Sequence, residues 1–222
     1  MSDLPEGSRL LYKVLSGSHA TNLVTPDSDE DWRGVYQVPT RSLLGLQQPS
    51  ETIEVPPDTT YWELGHFARL CLKGNPNIME LLWIPVIYDD SPTMAEIRSI
   101  KRSFFTQFMI ASYLGWVTKE RRILGNVEKA DILTGKRGSH LVRLLLGLQT
   151  ALAEDRLPVR LEGSDREKVM AIEMGEWNQL QVLFEIDMMV ERCKALALKA
   201  NWPEPDPRPI EDIVVRARME ML

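Results

Sequence analysis

From Ser91 onward the apolar residues of this chain recur at helical spacing, whereas before it short extended runs alternate with turns. That asymmetry constrains the fold most. In the first half, Leu10-Leu11-Tyr12-Lys13-Val14-Leu15 is apolar enough for a buried strand, and Trp32, Val35, Tyr36 and Val38 mark a second. Residues 51–55 read as a short strand ended by Pro56-Pro57, and residues 58–62, with Thr, Tyr and Trp, as another. Leu64, Phe67, Ala68 and Cys71 then form a helical stripe that stops at Gly74-Asn75-Pro76, and a further turn of helix starts at Ile78. In the second half Ser91-Pro92 opens a helix. Its stripe runs Ile97, Ile100, Phe104, Phe108, Ala111 and Leu114 until Gly125-Asn126 breaks it. Gly138-Ser139 opens the next, with Leu141, Leu144, Leu145, Leu148, Ala151 and Leu152 as its apolar stripe. An extended link over 157–161, helices over 166–174, 177–200 and 210–222, and a proline-spaced connector before the last complete the chain. The expected class is α+β, a small mixed sheet followed by a helical carboxy-terminal half. At 222 residues the chain has room for one good core or for two small lobes that share one.

Between the first two strands lies the chemically distinctive stretch. Gly17-Ser18-His19 is followed ten residues after the Gly-Ser pair by Asp29-Glu30-Asp31. If the triplet begins the second strand, alternation puts Asp29 and Asp31 on one face and Glu30 on the other. Two carboxylates a pleat apart suit a hard divalent cation such as Mg2+, or Mn2+, which completes its shell with water or phosphate oxygens. Gly17 lets backbone come close to a ligand, and Ser18 offers a hydroxyl beside N–H groups where a short helix can begin.

Gly-Ser followed by Asp-x-Asp resembles the signature of nucleotidyltransferases of the DNA polymerase beta superfamily. The longer string, through Thr25, Pro26, Ser28, Asp29, Asp31, Arg33, Gly34 and Val35, resembles its RNA-repair-ligase-associated branch. So does Gly74-Asn75-Pro76-Asn77 followed by Glu80-Leu81-Leu82. One departure is Ala20-Thr21-Asn22, where that branch carries an aromatic residue and a glycine; Asn tolerates a left-handed turn better than most residues. The resemblance implies a catalytic core over residues 1–90, a helical domain over 91–222, and a nucleotide cleft between them. It implies metal-dependent transfer of a nucleotide from an NTP, with Asp29 and Asp31 on the metal and Gly17, Ser18 and His19 at the nucleotide. It also implies a third carboxylate on a neighbouring strand. Glu54, between Ile53 and Val55, and Asp58 are equal candidates, with Glu63 behind them. Lys136, His140 and Arg143 have the spacing of a lysine, a histidine and an arginine in that branch. A cationic trio beside carboxylates suits a triphosphate. The implied acceptor is an RNA 3′ end, such as that of a damaged tRNA. Alternatives are nucleotidylation of a protein or small molecule, as in the antitoxin-like branch, and a silent module that binds RNA or a partner.

Charge is uneven. The net charge is −6, yet residues 98–143 hold ten Lys or Arg against three acids, +7, and the remainder is −13. A basic middle in an acidic chain would steer triphosphate or an RNA backbone toward a cleft. Cys71 and Cys193 lie far apart without metal spacing and read as buried thiols. The start, Met-Ser-Asp-Leu-Pro-Glu, lacks the basic and apolar regions of a signal peptide, and no apolar run is long enough to cross a membrane. The cytosol is the expected compartment, with no membrane partner.

Overall fold

Tyr12 and Val14 are fully buried on β1 (Arg9–Leu15), the strand between the two antiparallel neighbours β2 (Trp32–Gln37) and β5 (Ile87–Asp90). The computed structural model describes residues 4–46, 48–126 and 132–222. With β3 (Thr52–Val55) and β4 (Thr59–Glu63) the sheet has the order β3-β4-β2-β1-β5. It is mixed, because β2 and β4 run parallel while the other neighbours run antiparallel. Helices α1 (Gly17–Thr21), α2 (Thr40–Leu44), α3 (Leu64–Leu72) and α4 (Pro76–Leu81) fall between strands. Then come α5 (Pro92–Ser99), α6 (Gln107–Gly125), α7 (Ile132–Glu154), α8 (Gly163–Glu173), α9 (Gln179–Ala200) and α10 (Arg208–Met219). The class is α+β, as the sequence pattern implies.

Alternation gives the sheet two different faces. One carries Tyr12, Val14, Arg33, Val35, Thr60 and Trp62, joined by ladder register. The Tyr12 hydroxyl donates to the Leu81 carbonyl at 2.7 Å and ties this face to α4. One hydrophobic cluster runs from Leu11 on the sheet through α7 and α9 to Ala217 on α10. The last helix returns to the sheet, where Gln37 Nε2 donates to the Ala217 carbonyl at 2.7 Å.

Three expectations change. The strand starts at Trp32, so Asp29 and Asp31 lie in the segment leading into β2 and not on it. The stripe from Ile97 to Leu114 is not one helix. A 3₁₀ turn at Lys101–Phe104 separates α5 from α6. Phe104 and Phe105 are buried there, Phe105 stacks between Trp83 and Trp202, and Phe108 is left 48% exposed. Gly138-Ser139 does not open a helix, because α7 already runs from Ile132. A Cβ on Gly138 would lie 2.6 Å from Val182 Cγ1, so this glycine is where α9 approaches α7 closely.

Gly74 ends the α3 segment at φ +61°, and a Cβ there would lie 2.2 Å from Met109 Cα. Backbone of α6 cannot retreat as a flexible side chain could. Gly74→Ala is expected to lower stability by about 2–3 kcal/mol, measured as a shift of the urea midpoint.

Candidate active site

Gly17 has φ +58°, and a Cβ built on it would meet Asp31 Oδ2 at 2.1 Å. Only glycine allows that turn to lie against that carboxylate. The Ser16 N–H donates to the Asp31 carbonyl at 2.7 Å and fixes the two segments side by side. Asn22 closes α1 in the left-handed region at φ 65°, as its residue type permits.

Asp31 and Gly17 border a cavity of about 440 Å³. Its floor is one row of the sheet. Arg33 pairs with Thr60, Thr60 pairs with Glu54, and all three line the cavity. Arg33 is pinned, its Nη2 donating to Asp31 Oδ1 at 3.2 Å and its Nη1 to the carbonyls of Trp32 and Asp58 at 3.0 and 3.2 Å.

The opposite wall comes from α4 and α7. The Asn75 side chain caps α4 by accepting from the N–H groups of Asn77 and Ile78 at 3.1 and 3.3 Å, and Pro76 takes the first helical position. Ile78 and Met79 turn into the core, while Asn77 and Glu80, three apart, line the cavity. Glu80 is paired with Arg143 of α7, whose Nη2 lies 3.2 Å from His140 Nδ1. Burial, and after it the Arg143 guanidinium, push His140 down to about 4 against the opposing pull of Glu80. The imidazole is therefore neutral near pH 7 and can accept from Arg143.

The cavity thus gathers Gly17, Asp31, Glu54, His140 and Arg143. Asp29, Ser18, Asp58 and Lys136 are not among its lining residues. Asp29, Asp58 and Lys136 are exposed, and His19 lines a smaller groove beyond Ala20. Glu63 is only 5% exposed on the other sheet face, where it accepts from the Gly65 N–H at 2.7 Å and pairs with Arg218. The cationic trio is reduced in charge, since His140 is neutral and Arg143 is matched by Glu80. Half of the ten basic residues over 98–143 carry an acid partner, Arg143 among them. Arg98, Arg102, Arg121 and Arg137 are paired with Asp90, Asp155, Asp187 and Glu120. Lys129 lies outside the described residues.

Sequence reasoning missed roles for Asn77, Glu80, Thr60 and Arg33. The first two were signalled by polar residues three apart in an apolar helix; the other two depend on register. Among the described residues no cluster of three or more His, Cys, Asp and Glu is set to hold a metal. The carboxylates of Asp31 and Glu54 at one cavity are oxygen donors that fit a cation able to complete its shell with phosphate oxygens.

A mixed sheet with a Gly-Ser turn against a carboxylate at a cavity accords with the polymerase-beta-like class that the family model defines. The chain belongs to the RNA repair pathway DNA polymerase beta family (RlaP), whose model matches residues 4–183. It is 28% identical over 148 residues to the protein YcgL of Bacillus subtilis (strain 168), covering 64% of this chain and 56% of that protein. It is 26% identical over 126 residues to a 38.9 kDa protein of the nrdC-mobD intergenic region of Enterobacteria phage T4, covering 50% of this chain and 38% of that one. The chain spans about half the length of the curated relatives it matches. No solved structure matches it. Among the described residues no helix is long and apolar enough to cross a membrane.

His140 generates a pH prediction. Its folded value, about 4, lies below the unfolded value near 6.5, so the unfolded chain binds more protons between them. Its contribution to stability is present above about pH 6.5 and is lost as pH falls toward 4. His140→Gln keeps a neutral acceptor for Arg143, and urea unfolding across that window should show a flatter acid limb than wild type.

Proposed function

We propose that this chain is a metal-dependent nucleotidyltransferase that moves a nucleotide from an NTP to an acceptor hydroxyl, an RNA 3′ end in repair, tRNA included. The observation that carries the reading is the seating of Gly17 on the Asp31 carboxylate, with Glu54 on the same cavity floor. Family membership supports the chemistry, and the cavity volume suits a nucleotide. The buried free thiols of Cys71 and Cys193 support a reducing, cytosolic setting.

Mg2+ or Mn2+ held by Asp31, with Asp29 from the same segment, would neutralise charge on the attacking and leaving oxygens. The chain's own groups do the rest. The turn at Gly17, which borders the cavity, would offer backbone N–H groups to the outer phosphates, with the Ser18 hydroxyl next to it in α1 and His19 one residue further on, toward the smaller groove. Arg143 presents its guanidinium to phosphate oxygens, and Glu80 and His140 keep it oriented. The acceptor hydroxyl gives its proton to Glu54 as its oxygen bonds to the α-phosphate and pyrophosphate departs. Positioning and charge neutralisation then supply most of the rate.

The test is transfer of label from each α-labelled NTP to RNA, DNA and protein acceptors. Asp29→Ala combined with Asp31→Ala should abolish transfer while the circular dichroism spectrum and a cooperative urea transition are retained. Glu54→Gln should slow it by about 10²–10⁴-fold, whereas Asp58→Asn should retain near wild-type rates. A double variant as active as wild type would place the site elsewhere. Label found only in protein would discard the RNA acceptor.

A further inference from the structure

Tyr88 is the extra residue of a bulge. Val14 pairs with Ile87 and Lys13 with Asp89, so one step along β1 spans two along β5. Bulges re-aim a side chain. Here Tyr88 turns outward and is 56% exposed, with its ring braced edge-on by Trp32 at 4.7 Å and 78°. The Lys13 ammonium sits 4.5 Å from the Trp32 ring centroid. Tyr88 also walls a groove of about 190 Å³ with Leu15, His19, Val86 and Arg160. That groove and the catalytic cavity share Ala20 and Ile84. Within β2, alternation sends Arg33 toward the cavity and Trp32 toward the platform, so the two sites lie on opposite faces of one strand end.

An exposed, braced aromatic ring beside cations is the chemistry that holds single-stranded nucleic acid, with bases on the ring and phosphates on the cations. The acids nearby do not block it. Glu162 meets Arg160 at 3.5 Å with both side chains more than half exposed, an ion pair of little strength that phosphate can displace. Glu30 accepts from Trp32 Nε1 at 3.2 Å, and Asp89 lies across from Lys13. Two large apolar side chains here, Val86 and Tyr88, are too few for a protein interface core, which favours RNA.

We propose that Tyr88 and the adjoining groove bind the nucleotide just upstream of the acceptor end of single-stranded RNA, its base stacked on Tyr88 and its phosphates on Arg160 and Lys13. This rests on the reading of the chain as a transferase acting on RNA. The experiment is fluorescence anisotropy with a short labelled oligoadenylate, without NTP or metal, so that binding is read apart from turnover. Tyr88→Ala should weaken binding by about 5- to 100-fold, and Tyr88→Phe should not. An abasic oligomer of the same length should lose the same factor, and the two losses should not add. Arg160→Ala and Lys13→Ala should each lower the slope of log affinity against log salt by about one. Circular dichroism and the urea midpoint of Tyr88→Ala should match wild type. If Tyr88→Ala binds the oligomer as tightly as wild type, the platform is wrong, as it would be for a surface that serves a protein partner. The label-transfer assay, run on the same variant, stands or falls independently.

Discussion

The contact of Gly17 with Asp31 is the constraint on which the site depends. The Asp31 carboxylate occupies the volume where any other residue at position 17 would put its Cβ. The turn leaving β1 and the segment entering β2 are therefore held within touching distance, and the Ser16–Asp31 hydrogen bond locks their register. Everything that reaches the cavity does so relative to that junction. α1 folds back over it, β2 carries Arg33 away from it, and β4 and β3 extend the same row to Thr60 and Glu54.

Partly buried ion pairs hold the opposite wall. Glu80 and Arg143 are each less than a fifth exposed, and His140 supplies a neutral acceptor to the same guanidinium. Removing one member of such a pair costs about 3–5 kcal/mol because the other charge is left uncompensated. The arrangement also has a chemical consequence. Any anion arriving at Arg143 would have to share the guanidinium with Glu80, so the wall is charge-balanced as it stands. Glu63 and Arg218 make the equivalent pair on the other face, where it joins α10 to the strand end and takes no part in the cavity.

Much of the fold was legible because periodicity is local. The run at Leu10–Leu15 and the stripe Leu64, Phe67, Ala68 and Cys71 are a strand and a helix as their spacing implies. β5 was not legible, since an edge strand of sequence Ile-Tyr-Asp-Asp has no buried alternation to read. The helical stripe at Ile97–Leu114 misled because its spacing continues across a break. What breaks it is the burial of Phe105 between Trp83 and Trp202, which are distant in sequence.

The sequence alone determined the Gly-Ser turn, the helical stripe from Leu64 to Cys71 with its stop at Gly74, and the α+β order of elements, all of which depend on residues within a few positions of one another. Tertiary structure alone decided which acid faces the cavity. Glu54, Asp58 and Glu63 are equivalent as residues on or beside neighbouring strands. Ladder register puts Glu54 in line with Thr60 and Arg33, and Glu63, three positions beyond Thr60, on the reverse face. It likewise decided that His140 is neutral and that Arg143 is shared with Glu80. Those properties arise from burial and from a residue 63 positions away, and no local pattern encodes either.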